Sequence, residues 1–210
     1  MPSLSSDNKE MYFVSNRDGG NGGFDIWVSQ FIDGLWQMPQ NLGETINTNG
    51  NETAPYIAAD GKTLYFTSNG HPSIGGNDIF VTRKDASGHW SKPENLGYPI
   101  NSTFDDVSFG LSADGQQGYF ASDRPGGLGK MDLYTIQLPP HLQPEPYTYV
   151  EGVIYDSLSQ KPIPYAKIVW TDTATGNEIL KIVSNKGDGS YMAAIPVNKA
   201  FKVTVYRSAY

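Results

Sequence analysis

Apolar and aromatic residues in this chain fall in short alternating runs, and turn-forming residues break those runs at close intervals. Residues 64–68 (LYFTS) and 78–83 (DIFVTR) carry the aromatic and β-branched content of strands and are too short for stable helices. Residues 55–58 lead into the turn at Asp60-Gly61, where Asp-Gly supplies the positive φ angles of a tight hairpin. A second turn at 85–88 leads to a last strand around Trp90. This stretch reads as four short antiparallel strands.

The pattern then recurs. The Asp of the early turn stands at Asp7, Asp60 and Asp114, with 53 residues from Asp7 to Asp60 and 54 from Asp60 to Asp114. The Asp that opens the third strand stands at Asp25, Asp78 and Asp132. A second half of the unit occurs twice: Trp36 is matched by Trp90, Asn41-Leu42-Gly43 by Asn95-Leu96-Gly97, and Ile46-Asn47 by Ile100-Asn101. The third copy has Leu138-Pro139-Pro140 where the tryptophan strand is due. Four-stranded units at this period are the signature of β-propeller blades. The expected fold is all-β: a partial propeller of three blades over residues 2–138, the last incomplete, then a small β-sandwich. Closed propellers have about 4–8 blades. The chain opens directly on a blade strand, so further blades are expected upstream and the chain is read as a fragment of a longer protein.

The segments SNRDGGNGGFDIW, SNGHPSIGGNDIF and SDRPGGLGKMDLY, with NLG and IN between them, resemble the TolB-like, WD-repeat-like propeller with its PD40-type repeats. Residues 139–147 contain PPHLQPEP and read as a proline-rich linker. Beyond it, Val150-Glu151-Gly152, Lys161-Pro162-Ile163, Ala166, Thr175-Gly176 and residues 187–191 and 201–205 resemble the carboxypeptidase regulatory-like domain. That domain is a transthyretin-like sandwich without peptidase activity, expected here over 148–210 and cut short of a final strand. The two modules in this order resemble OmpA family outer-membrane proteins of Bacteroidetes. The resemblance implies a cell-envelope scaffold on the periplasmic face of the outer membrane, an envelope protein as partner, and peptidoglycan binding only through a C-terminal domain absent from this sequence.

Composition narrows the chemistry. The formal net charge is −7 and no basic stripe exists to neutralise phosphates, which argues against nucleic acid as a partner. The absence of cysteine removes disulfides, thiol catalysis and Cys-ligated zinc. The first residues, MPSLSSDNKE, have neither the basic nor the apolar region of a signal peptide, and no apolar run approaches the ~20 residues of a membrane-spanning helix. The Gly-rich loops at 19–23, 75–76 and 126–129 lead into no helix with a Lys-Ser/Thr pair, which excludes a P-loop. Calcium held by those loops is a minority reading, since no dense run of acidic ligands accompanies them.

Asp25, Asp78 and Asp132 recur in every unit, as a structural turn cap does and a unique catalytic site does not. Trp36, Trp90 and the pairs Tyr12-Phe13, Tyr65-Phe66 and Tyr119-Phe120 read as packing between blades. Arg17 and Arg124 share one repeat position and are candidates for an anion or a partner; Asn47, Asn101, Asp105 and Asp106 read as exposed loop contacts. His71 and His89 read as solvated loop residues. No catalytic residue and no cofactor is expected. The alternatives are a propeller hydrolase, with Glu52, Asp105 and Asp106 near a central channel, and a glycan-binding protein, suggested by 13 Tyr and 12% aromatic residues.

Overall fold

The computed structural model describes residues 2–85 and 87–207. Ala86, in the turn expected at 85–88, and residues 208–210, the end of the expected sandwich, lie outside the described residues. The chain forms two compact units, Met1–Glu145 and Pro146–Tyr210. It is all-β, a partial propeller followed by a small β-sandwich.

The first unit holds three successive blades. Blade 1 comprises β1 (Ser3–Leu4), β2 (Glu10–Ser15), β3 (Asp25–Ile32), β4 (Leu35–Trp36) and β5 (Gln40–Asn41). Blade 2 comprises β6 (Glu52–Ile57), β7 (Thr63–Ser68), β8 (Asp78–Arg83) and β9 (Glu94–Asn95), in that spatial order. Blade 3 has only β10 (Asp106–Leu111), β11 (Gln117–Ser122) and β12 (Asp132–Gln137). All pairings are antiparallel. The outermost strand differs from the expectation: Trp90 makes only an isolated bridge to Lys84, and the paired strand is Glu94–Asn95. Pro93, which has no N–H to donate, separates the two, as Pro39 separates β4 from β5.

The turn aspartates close the first hairpin as the sequence suggests. Asp60 Oδ1 accepts from the N–H groups of Lys62 and Thr63, both at 2.8 Å, beside Gly61 at φ +65°. A bulge interrupts the first strand of blades 2 and 3 at corresponding places, with Ala54 and Ser108 at φ 46° and 59°.

Alternation along each strand sends side chains to both neighbouring blades. Tyr12, Ile26 and Ile46 pack with Ile57, Leu64, Phe66 and Phe80 between blades 1 and 2. Tyr65, Ile79, Val81, Leu96 and Ile100 pack with Phe109 and Phe120 between blades 2 and 3. Burying each such side chain contributes about 1.5–3 kcal/mol. Of the segment expected as a linker, residues 139–145 belong to the first unit: Leu142, at the end of a 3-10 turn (Pro140–Leu142), is buried in the second of these cores, and its carbonyl accepts from Tyr65 Oη. The apolar Leu138 and Leu142 outweigh the surrounding prolines.

The second unit packs a two-stranded sheet, β13 (Tyr147–Val153) with β16 (Ser190–Pro196), on a three-stranded one ordered β15 (Glu178–Val183), β14 (Lys167–Asp172), β17 (Phe201–Tyr206). Ile168, Trp170, Ala193 and Ile195 form its core, with Val150, Leu180 and Phe201 against it.

Candidate functional site

The repeated polar residues assemble into one network per blade. At the mouth of blade 1, Asp25 accepts from the loop N–H groups of Asn21 and Gly22 and from Asn41 Nδ2 at 2.9 Å. Asn41 Oδ1 accepts from Gly43 N and from Asn47 Nδ2, each at 2.8 Å. Asn47 then grips both backbone groups of Ile26: its Oδ1 accepts from Ile26 N (2.8 Å) and its Nδ2 donates to Ile26 O (3.0 Å). Blade 2 repeats every link with Asp78, Asn95, Gly97, Asn101 and Ile79. An asparagine side chain is itself an amide, so its Oδ1 and one Nδ2 hydrogen mimic a peptide's C=O and N–H and replace a missing strand partner, while the second Nδ2 hydrogen reaches the other asparagine.

Asn47 and Asn101 are therefore not exposed contacts, as the sequence suggested; they are 1% and 0% exposed. Asp106 is also buried. It accepts from Ser102 N and Oγ and pairs with Arg124. Glu52 holds the same place in blade 2, accepting from Thr48 N (2.8 Å), Thr48 Oγ1 (2.7 Å) and Ser68 Oγ (2.6 Å). Asp105 staples the blades: its Oδ1 accepts from Asn77 N at 2.8 Å and Nδ2 at 3.0 Å, while its own N–H donates to Asp123. The reason is common to all: these side chains terminate strands where blade meets blade, and the terminal backbone groups there need partners.

Arg124 lies against Phe120 and Tyr134, its Cζ 5.1 and 5.0 Å from the ring centres. Its fork donates to Pro99 O (2.9 Å) and Ile100 O (2.6 Å) as well as to Asp106. Arg17 lies likewise on Phe13 and Trp27 and bonds Ser15 Oγ at 3.0 Å, but it is exposed on the outer face of blade 1. His71 is no solvated loop residue. It is half-buried, its Nε2 stands 2.8 Å from Ile46 O, and its ring meets Phe66 and Phe80.

Trp90 packs edge-on to Tyr12, with the Lys84 ammonium 5.0 Å above its ring, and Lys84 also bonds Glu10 and Tyr12 Oη. Burial, reinforced by the Glu10 carboxylate, pushes the Tyr12 phenol well above its ordinary range. Trp36 departs from the expected inter-blade packing: it is 41% exposed and touches Phe31. Its counterpart meets a tyrosine of the preceding blade, and no such strand precedes blade 1 in the described residues.

Asp132 stands apart from Asp25 and Asp78. It is half-buried where they are buried, and it accepts only from Gly129 N, at 3.1 Å. The Asn that completes the other two networks has no counterpart after β12. Sequence reasoning singled out Asp25, Asp78 and Asp132, marked Asn41 and Asn95 as repeat positions without giving them a role, read His71 as a solvated loop residue, and missed Ser68 and Ser122, whose Oγ accepts from Arg124 Nε at 2.9 Å. Ser68 and Ser122 recur at the repeat period, and that signal was available in the sequence.

Among the described residues no group of three or more His, Cys, Asp or Glu side chains could hold a metal ion. The second unit has an open cavity of about 290 Å³ lined by Asp156, Lys161, Pro162, Tyr165 and Arg207 among others. Among the described residues no helix is long and apolar enough to cross a membrane.

No family model matches the chain, and no curated protein matches it. Among solved structures, TolB from Acinetobacter baumannii is similar at 18% identity and a TM-score of 0.46, over 96% of this chain and 44% of that one. The chain thus spans less than half the length of that structure.

Proposed function

We propose that the chain is a non-catalytic protein-interaction module of the bacterial cell envelope, whose blades present rigid loops to a protein partner. The observation that carries this reading is the saturation of the carboxylates once weighed as catalytic. Glu52 and Asp106 are buried and each accepts from several donors of its own blade, and Asp105 is occupied in stapling blade 2 to blade 3. A general acid or base needs an oxygen free to face substrate. The resemblance of the repeats supports placing the protein on the periplasmic face of the outer membrane. In that reading residues 2–138 are the blades, 139–145 a segment packed against them, the unit from Pro146 onward a carboxypeptidase regulatory-like sandwich, and an OmpA-like domain elsewhere in the intact protein reaches peptidoglycan.

The test is quantitative capture from a Bacteroidetes envelope fraction and from cytosol, alongside peptide and glycan hydrolysis assays of the wild type, Glu52→Gln and Asp106→Asn. Enrichment of an envelope protein, with no hydrolysis above background, is the expected result. Turnover by the wild type that both substitutions abolish while the fold survives would replace the scaffold reading with the hydrolase.

A further inference from the structure

The mouths of blades 1 and 2 share one scaffold and differ in what they show to solvent. Their bonds repeat position by position. Asn21 N and Ile74 N donate to the aspartates that open the third strands, Asp25 and Asp78. Phe24 N donates to Asn51 Oδ1 at 3.0 Å, and Asn77 N donates to Asp105 Oδ1 at 2.8 Å. Asn51 N donates to Asn69 Oδ1 and Asp105 N to Asp123 Oδ1, each at 2.8 Å. Gly50 N donates to Thr48 Oγ1 at 3.0 Å, and Phe104 N to Ser102 Oγ at 3.2 Å. Asn21, Gly50, Asn51 and Asn69 of the first mouth are thus replaced by Ile74, Phe104, Asp105 and Asp123 in the second. A polar and a small residue become large and apolar, and two amides become carboxylates that accept the same bonds. Tyr98, 84% exposed, stands in the place of Glu44, and blade 1 keeps one exposed ring, Phe24, in the place of Asn77.

A feature that the fold requires is present at both mouths, and one present at a single mouth is not required by the fold. Blade 2 is flanked by blades 1 and 3, and its mouth is covered by the connector to blade 3, so these exposures are those of a complete blade. Ile74 and Phe104 are 47% and 39% exposed, and neither belongs to an inter-blade core. They adjoin each other, because the loop at Gly75 crosses the backbone of residues 102–104 so closely that a Cβ on Gly75 would run into Phe104 O. Asp105 and Asp123 lie beside them, joined by Asp105 N to Asp123 Oδ1 and by Asp123 N to Asp105 O at 3.3 Å. Among the described residues neither carboxylate forms an ion pair, and the neighbouring Arg124 is taken by Asp106.

We propose that the mouth of blade 2 is the docking surface for a partner polypeptide segment in which a large apolar side chain is flanked by Lys or Arg. The apolar side chain lies on Ile74 and Phe104, and the cations face Asp105 and Asp123. Charge complementarity selects this occupant: two uncompensated carboxylates, in a chain of net charge −7, repel anionic lipid and nucleic acid and attract a basic segment. The apolar anchor supplies most of the affinity, and the charged rim sets partner choice and association rate. The inference rests on the interaction-module reading and names the surface and the chemistry of the partner.

The test uses the whole 210-residue chain and two short synthetic peptides, one alternating Lys with Leu and one alternating Glu with Leu, titrated by amide NMR. The expected result is saturable binding of the Lys–Leu peptide, with shift changes centred on residues 73–77 and 102–105, and no binding of the Glu–Leu peptide. Two variants carry the residues of blade 1: Ile74→Asn with Phe104→Gly, and Asp105→Asn with Asp123→Asn. Blade 1 makes the same bonds with those residues, so both variants are expected to melt with the wild type. Each binds the Lys–Leu peptide at least about tenfold more weakly, and added salt weakens binding by the wild type more than by the Asp105→Asn, Asp123→Asn variant. No saturation by ~1 mM peptide, shifts confined to another surface, equal binding of the two peptides, or wild-type affinity in either variant would overturn the proposal. So would phosphatidylglycerol vesicles shifting the same amides, which would assign the surface to a membrane. The mapping on the wild type decides the matter even where a variant fails to fold. Envelope capture separates this inference from the reading beneath it: no capture by the wild type sinks the interaction module, whereas capture that both variants retain in full sinks this surface alone.

Discussion

The imidazole of His71 fills in blade 2 the place that the guanidinium of Arg124 fills in blade 3. Arg124 lies across Phe120 and Tyr134 and donates to Ile100 O; His71 lies against Phe66 and Phe80, the counterparts of those rings, with Nε2 on Ile46 O, the counterpart of that carbonyl. The two side chains leave the backbone one repeat position apart. Gly70 holds the arginine position, and a Cβ there would overlap Thr48 Oγ1. The cation is thus replaced by a shorter ring from the next residue, and the inter-blade hydrogen bond survives. Repeated function at a shifted position hides from an aligned reading, so His71 looked like a loop residue.

Arg124→Ala is therefore expected to cost more than His71→Ala. Loss of His71 removes one hydrogen bond and its ring contacts, about 1–2 kcal/mol. Loss of Arg124 also leaves the buried Asp106 carboxylate without its cation, about 3–5 kcal/mol. Urea denaturation of the two variants checks the order. Equal losses would mean that the Arg124–Asp106 pair adds nothing.

Asn101→Ala and Asn47→Ala test the amide clamps. Each substitution strands the buried N–H of Ile79 or Ile26, while the carbonyl keeps its bond from Leu96 N or Leu42 N, a cost of about 1–3 kcal/mol for the unpaired group. Asn101→Asp is expected to be at least as damaging, because a carboxylate cannot donate to Ile79 O. Thermal unfolding of the three variants against wild type measures this.

These asparagines also mark where sequence reading stopped. The hairpins, the three-fold repeat and the incomplete last blade were legible because alternation and Asp-Gly turns act over a few residues. Partners about twenty residues apart, such as Asn47 and Ile26, were not: an asparagine followed by Thr or Ser in a connecting segment has the composition of a solvated loop, and only the fold turns its amide inward. Trp36 failed for the opposite reason. Its environment depends on a neighbouring blade, and the same residue type that is covered at Trp90 is left open at blade 1.

Gly75 sits where the Gly-rich loop of blade 2 crosses the backbone leading to blade 3, and a Cβ there would run into Phe104 O and Ser102 O. Gly75→Ala is expected to destabilise the first unit by about 1–3 kcal/mol, the range for forced overpacking. Gly110→Ala is the control: nothing lies within 4 Å of a Cβ at that position. It should change stability by no more than about 0.5 kcal/mol. Calorimetric melts of both variants give the comparison.

Asp172 provides a pH-dependent contribution in the second unit. Its carboxylate accepts from Ala174 N at 2.8 Å and Thr175 N at 3.3 Å and lies 3.4 Å from Lys199 Nζ. The backbone bond from Ala174, with help from Thr175 and Lys199, holds its pKa below the ordinary value of 3.8. A carboxylate whose pKa is lower folded than unfolded stabilises the native state fully above the unfolded value, and that stabilisation is lost as pH falls through the folded value. Asp172→Ala should therefore be less stable than wild type at pH 7 and at pH 5, by nearly the same margin. The margin should shrink as the pH drops below about 4. Denaturation at a series of pH values, followed by the amide NMR signals of β14 and β17, reads the second unit alone. A margin that stays constant down to pH 2 would show that the turn is held by Asp172 packing and not by its charge.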